Sequence, residues 1–299
     1  MPSLKDIQLK IVGVKKTEQI TKAMNMVAAA KFRGAQSRME DFRPYAEKFS
    51  SVMGELAGTA NPDSFPLMAK REVKKVLLVL VTSDRGLCGA FNANLINTAN
   101  KFLRERVAKG QEVSLYCVGK KGEAFFRKSE YSVLGKMLDV MANVQMLNAR
   151  QIGQEVSHLF LEEEVDEVHL LYGRFINVVT QHPTVERLLP IAHDLGEEID
   201  EDGNVKEESL GVKAAYIYEP EPEAILNTLM PMYINVQILH AMLETGASEQ
   251  AARMTAMDNA TKACSDIIHN LTLAFNKARQ AAITKELMDI VGGAEALKG

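Results

Sequence analysis

The sequence predicts two long terminal helices wound as an antiparallel, left-handed coiled coil, with a Rossmann-like α/β domain inserted between them. Three observations carry this. Residues 3–58 are rich in Ala, Met, Lys and Gln, all good helix formers. Residues 73–220 alternate strand-like and helical patterns. From Glu223 to Val291 the chain has only one proline, Pro231, and one glycine, Gly246.

The first stretch, domain 1–60, opens with Ser3 and Asp6 as a capping pair and Pro2 just outside. Ile7, Ile11 and Val14 form one apolar stripe, and Ile20, Met24 and Val27 form another. The one-residue slip between them predicts a bent or locally rewound helix. Pro44, which removes a helical hydrogen bond, predicts a kink, and Asn61–Pro62 an end.

In the middle domain, 73–220, VKKVLLVLVTS, EVSLYCVG, VDEVHLLYGRFIN, PTVERLLPI and AAYIYEP read as strands. Helical patterns at 92–108, 120–128 and 144–163 separate the first three. Strand–helix–strand alternation predicts a mostly parallel sheet with covering helices.

The last stretch, 223–299, repeats every seven residues. Leu243, Ala247, Gln250, Met254, Met257, Thr261, Cys264, Ile268, Leu271, Phe275, Ala278 and Ala282 lie alternately four and three apart. That period specifies left-handed supercoiling. A helix of this length spans about 100 Å at ~1.5 Å per residue, wider than any 150-residue core. The N-terminal helix is the partner of similar length, so the termini are expected to form an antiparallel rod.

Composition narrows the function. Apolar residues make up 46% and charged residues 25%, as in a globular protein. The formal net charge of −4 gives no sign of nucleic-acid binding. Residues 1–40 are basic, with eight Lys/Arg against three Asp/Glu, whereas LEEEVDEV and GEEIDEDGNVKEE are acidic runs that read as solvated surface. Three separated cysteines and six histidines follow no ligand spacing, so neither a metal site nor a disulfide framework is expected. The longest aliphatic run, VLLVLV, is too short to span a bilayer, so membrane association is expected through a partner. MPSLKDIQLK reads as neither a signal peptide nor a transit segment.

SDRGLCGAFN, residues 83–92, leaves a buried strand by a glycine-rich turn, where nucleotide enzymes hold phosphate. It lacks the Lys-Ser or Lys-Thr that ends a triphosphate loop, and Gly86 and Gly89 supply one interval of GxGxxG. Asp84 and Arg85 suit a phosphate site or, equally, a capped and ion-paired turn. The residues alone leave both open. No cofactor is assigned, and no constellation reads as catalytic.

ITKAMNMVAAAK (20–31), SDRGLCGAFN (83–92), EQAARMTAMDNAT (249–261) and FNKARQAAITKELMDIVGGAEAL (275–297) resemble the signature blocks of the gamma subunit of F-type ATP synthases. The resemblance extends over the whole chain. It implies a central-stalk rotor, itself non-catalytic, that couples proton- or sodium-driven rotation of a c-ring to ATP synthesis or hydrolysis at alpha and beta subunits. The implied partners are alpha, beta, epsilon and the c-ring, at the cytoplasmic face of a bacterial membrane. The redox-switch cysteine pair of chloroplast relatives is not present.

By that resemblance Arg253, Gln280, Thr284 and Glu286 are expected to contact beta, and Tyr216, Tyr218 and Glu219 to lie near the c-ring foot. Met24 is placed for the surrounding sleeve or for the coiled-coil core. Ile283, Leu287, Met288, Ile290 and Val291 suit a low-friction bearing, methionine's flexible thioether adapting to changing neighbours. SDRGLCGAFN becomes a structural turn or a subunit contact, with Asp84, Arg85 and Cys88 nearest the interface. For Arg253 the alternative is a surface ion pair with Glu249, four residues earlier. The runner-up function is a stand-alone nucleotide-binding α/β protein.

Overall fold

A computed structural model describes residues 3–59, 65–191 and 222–296. In chain order the elements are α1 (Leu4–Thr59), β1 (Lys75–Val81), α2 (Phe91–Ala108), β2 (Glu112–Val118), α3 (Lys120–Phe126), β3 (Ser132–Met137), α4 (Met146–Leu161), β4 (Glu167–Phe175), β5 (Gln181–Leu189) and α5 (Pro222–Ala296). A short 3₁₀ turn, Pro66–Met68, precedes β1. The chain divides into two compact units, Met1–Ala30 with Arg253–Gly299, and Lys31–Ala252.

In the first unit α1 and α5 run antiparallel. Asn25 Nδ2 donates to the carbonyl of Met254 at 2.9 Å, and the Thr261 hydroxyl meets that of Thr21 at 2.8 Å. Numbers rising along one helix thus meet numbers falling along the other. From Met257 onward the residues of α5 turned from solvent are Met257, Thr261, Cys264, Ile268, Leu271, Phe275, Ala278 and Ala282, with Ala260 the one addition. The seven-residue repeat read from the sequence is the buried seam.

On α1 the expectation of two stripes with a slip is corrected. One unbroken row faces inward: Leu4, Ile7, Ile11, Val14, Glu18, Thr21, Asn25 and Ala28, with Met24 half-buried beside it. Ile20 and Val27 instead stand 59% and 57% exposed. The seam crosses a polar patch, and apolar periodicity followed the wrong side of the helix there. The Thr21 hydroxyl can satisfy itself on the carbonyl of Glu18, so the buried patch leaves that group partnered. The Ser3–Asp6 cap forms as expected, each side chain accepting the other's backbone N–H.

The second unit is a five-stranded sheet of order β3-β2-β1-β4-β5, the first four parallel and β5 antiparallel at the edge. Alternation along β1 shows the layering. Leu77, Val79 and Val81 face a core shared with α1, α4 and α5, whereas Val76, Leu78 and Leu80 face α2 and Phe126 of α3. A strand covered on both faces reads as the continuous apolar run observed. PTVERLLPI is β5, while SVLGKM supplies β3, which was not expected from its pattern. Within this unit α1 continues through Pro44 as a single helix and closes at Thr59, just before the expected end at Asn61–Pro62. The expected strand AAYIYEP lies outside the described residues.

Candidate functional site

The turn SDRGLCGAFN, residues 83–92, is held by its own side chains. Asp84 Oδ1 accepts the backbone N–H groups of Lys120 and Asp139 at 3.1 and 3.0 Å, and Oδ2 that of Met141 at 3.0 Å. One carboxylate thereby ties the turn after β1 to those after β2 and β3. Ser83 N–H donates to Asn92 Oδ1, and Asn92 Nδ2 reaches the sulfur of Cys88 at 3.1 Å. Gly89 has φ 58°, a left-handed conformation that favours glycine, and Leu87 shares that region at φ 63°.

Cys88 is 2% exposed and packs in the core beneath α2. This corrects its expected place at an interface: the surface of the loop is made by Arg85 and Leu87 instead. Asp84 is a structural clamp, because its oxygens already hold three backbone donors.

In open sheets of this kind ligands bind where strand order reverses, outside the carboxyl ends of the strands. Here that position lies between β1 and β4. β1 pairs with β4 only over Glu167–Leu171, so Gly173–Phe175 overhang with one edge unpaired by a strand. Helix α5 fills that edge. Thr245 Oγ1 accepts the N–H of Gly173 at 3.2 Å, Ser248 Oγ donates to its carbonyl at 2.9 Å, and Glu244 Oε2 accepts the N–H of Phe175 at 2.7 Å. A Cβ on Gly173 would stand 2.7 Å from the Phe91 ring at the start of α2. The crevice is occupied by the chain itself.

Glu244 binds further. Its Oε1 receives Arg43 Nη2 at 2.6 Å and Nε at 3.1 Å from α1, and His240 Nε2 lies 3.4 Å away. Burial alone would raise the pKa of this carboxyl. Hydrogen bonds from His240, Arg43 and the Phe175 N–H outweigh that and hold it below the ordinary carboxylate value.

The remaining expected contact residues fall into three groups. Gln280, Thr284 and Glu286 are exposed on α5, and the Thr284 hydroxyl donates to the Gln280 carbonyl at 2.9 Å. Arg253 and Glu249 are 9% and 4% exposed, and both have partners within the chain. Their reading as a surface ion pair is therefore corrected; neither side chain is at the surface. Tyr216, Tyr218 and Glu219 lie outside the described residues.

Apolar side chains stand in solvent beyond the seam. Ile283, Leu287, Met288, Ile290 and Val291 on α5 are all at least half exposed. Ile20, Met26 and Val27 do the same on α1. Ile20 and Val27 were not recognisable from periodicity, because their spacing imitates a core stripe. Among the described residues no helix is long and apolar enough to cross a membrane.

Comparison with known proteins places these features. A family model described as ATP synthase matches residues 3–297. The chain is 54% identical over 298 residues to the ATP synthase gamma chain of Desulfotalea psychrophila, covering 100% of both chains. It is 53% identical over 300 residues to that of Nitratidesulfovibrio vulgaris, again covering 100% of both. Among solved structures it resembles a chain of the Tetrahymena thermophila mitochondrial ATP synthase central stalk and c-ring, with 30% identity and a TM-score of 0.60, over 81% of this chain and 99% of that one. A chain of the Euglena gracilis mitochondrial ATP synthase, 22% identical with a TM-score of 0.67, shares the fold over 98% of this chain and 94% of that one. Long terminal helices with an α/β segment between them in the chain, matched from end to end at this identity, make the chain a member of the ATP synthase gamma chain family.

Proposed function

We propose that the chain is the central-stalk rotor of an F-type ATP synthase, a peripheral part of a membrane complex at the cytoplasmic face. It couples proton- or sodium-driven rotation of a c-ring to ATP synthesis or hydrolysis on alpha and beta subunits, and it docks on epsilon. The chain-long relationship to gamma chains carries this reading. The uncovered apolar residues of α1 and α5 support it, since a shaft turning in a sleeve needs contacts with few fixed polar partners.

The chain itself is proposed to be non-catalytic. A stand-alone nucleotide-binding function is disfavoured because α5 occupies the crevice where such domains hold their ligand. Saturable ATP binding by the purified chain, abolished by Arg85→Ala, would restore that alternative.

Gln280, Thr284 and Glu286 are proposed to engage beta, with Arg253 beside them and Met24 adjoining the sleeve. Gln280 gives the cleaner test, because Arg253→Ala also removes partners inside the chain. Gln280→Leu is expected to leave the complex assembled and lower its ATP hydrolysis rate severalfold. An assembled complex with an unchanged rate refutes the assignment.

A further inference from the structure

We propose that Glu244, Thr245 and Ser248, with Arg43, form a polar clasp that stops the two helices sliding or turning against the sheet. They are positioning residues, and the proposal rests on the rotor reading above. The physical basis is the difference between apolar and polar contact. Burial of apolar surface is non-directional, so it opposes separation far more than it opposes sliding or rolling. Hydrogen bonds weaken steeply when bent, so they oppose sliding. A part that conveys torque between an α/β domain and a helix pair needs the second kind of contact.

The second unit concentrates it at one place. The apolar core holds α1, α4 and α5 against the face of Leu77, Val79 and Val81. At the overhanging end of β4 the contact changes character. Three side chains within about one turn of α5 take the N–H and carbonyl of Gly173 and the N–H of Phe175, the groups a further strand would have bonded. Side chains of a helix thereby complete a sheet edge.

Arg43 brings in the other helix. Its guanidinium binds Glu244 through two nitrogens, and Nη2 also reaches the Phe175 carbonyl at 3.5 Å. One buried carboxylate is thus bonded to α1 and β4 and is carried by α5. Gly173 allows the approach, for a side chain there would collide with Phe91. The clasp also contributes to stability, because apolar residues there would leave the backbone groups of Gly173 and Phe175 without partners.

The test uses the assembled complex with spin labels at two exposed positions of the second unit, Ser132 on β3 and Glu47 on α1. The variant is Thr245→Val with Ser248→Ala, which keeps volume and removes the directional bonds. A control, Leu226→Val, truncates the fully buried part of α5 and lowers melting temperature without touching the clasp. The clasp variant is expected to broaden the label-to-label distance distribution, and to lower ATP-driven ion pumping per ATP hydrolysed severalfold. The control should do neither, even where its melting temperature falls further. Distance widths and pumping ratios equal to those of the control overturn the clasp. Broadened distances with an unchanged ratio overturn its role in torque. Failure of the rotor reading is separate: the parental complex would then hydrolyse ATP without pumping.

Discussion

Helix α5 passes through two environments, and the contrast between them is instructive. In the second unit, from Leu226 to Ala252, most positions are buried, on nearly every side of the helix. In the first unit only one residue in three or four is shielded, and beyond Ala282 none of the residues described is. Composition hardly changes along the way, since alanine, methionine and leucine occur in both. What changes is the number of neighbours. A helix packed by a sheet and two other helices buries all its faces, whereas a helix with a single helical partner buries a seam. The residues that look like surplus core in the first unit are therefore surface of this chain.

Substitutions along these two regions test the difference. A large loss is expected from Glu244→Ala in the second unit. It leaves the Arg43 guanidinium, about a third exposed, without its carboxylate and the buried Phe175 N–H without its acceptor, at a cost of about 2–4 kcal/mol in unfolding of the full chain. A loss under 1 kcal/mol would show that solvent replaces the carboxylate easily and that the second unit is not tightly closed there.

The same group sets an acid response. Its pKa in the folded chain is depressed, so the stability it adds is present above the ordinary value of 4.5 and is lost as pH falls through the depressed value. The stability gap between the natural chain and Glu244→Gln should accordingly narrow below pH 4.5. A gap that widens on acidification contradicts the charge-stabilised geometry.

Along α5 itself the effect of truncation should fall with distance from the sheet. Ile234→Ala, fully buried, is expected to cost about 2–5 kcal/mol. Leu271→Ala, half-buried in the seam, should cost about 1 kcal/mol. Leu273→Ala, two residues on and outward-facing, should stay within about 0.5 kcal/mol. Chemical denaturation of the three variants measures the series. Equal costs at 271 and 273 would mean that the seam does not hold in solution.

How legible each region was in the sequence follows from the same contrast. The seam of α5 could be read directly, because its residues are mostly apolar or small at a fixed spacing. The seam of α1 could not, for Glu18, Thr21 and Asn25 occupy it while Ile20 and Val27 face away. Hydrophobic periodicity identifies the side of a helix that is covered only when the cover belongs to the same chain. The parallel sheet was legible through the continuous apolar run of β1, but β3 was not, since half of its residues are exposed. The resemblance of SDRGLCGAFN to a phosphate turn was settled by partners 36 to 57 residues away, which no local pattern reveals. Ser248, Thr245 and Glu244 lay unremarked in a helical run, their roles defined by a strand about 70 residues earlier.

The antiparallel pairing also has a consequence for synthesis on the ribosome. Asn25 meets Met254 across 229 residues, and Thr21 meets Thr261 across 240. Residues 4–28 therefore wait, with Ile7, Ile11 and Val14 bare, until translation has passed Met254 and Thr261. At about 5–20 residues per second that interval lasts on the order of ten seconds or more, long compared with collapse of the α/β unit. During it the nascent chain displays an amphipathic stripe with nothing of its own to cover it. Ribosome-bound holdases should accordingly occupy residues 4–28 for most of elongation, and a stop codon placed just before Arg253 should leave that stripe permanently open to degradation.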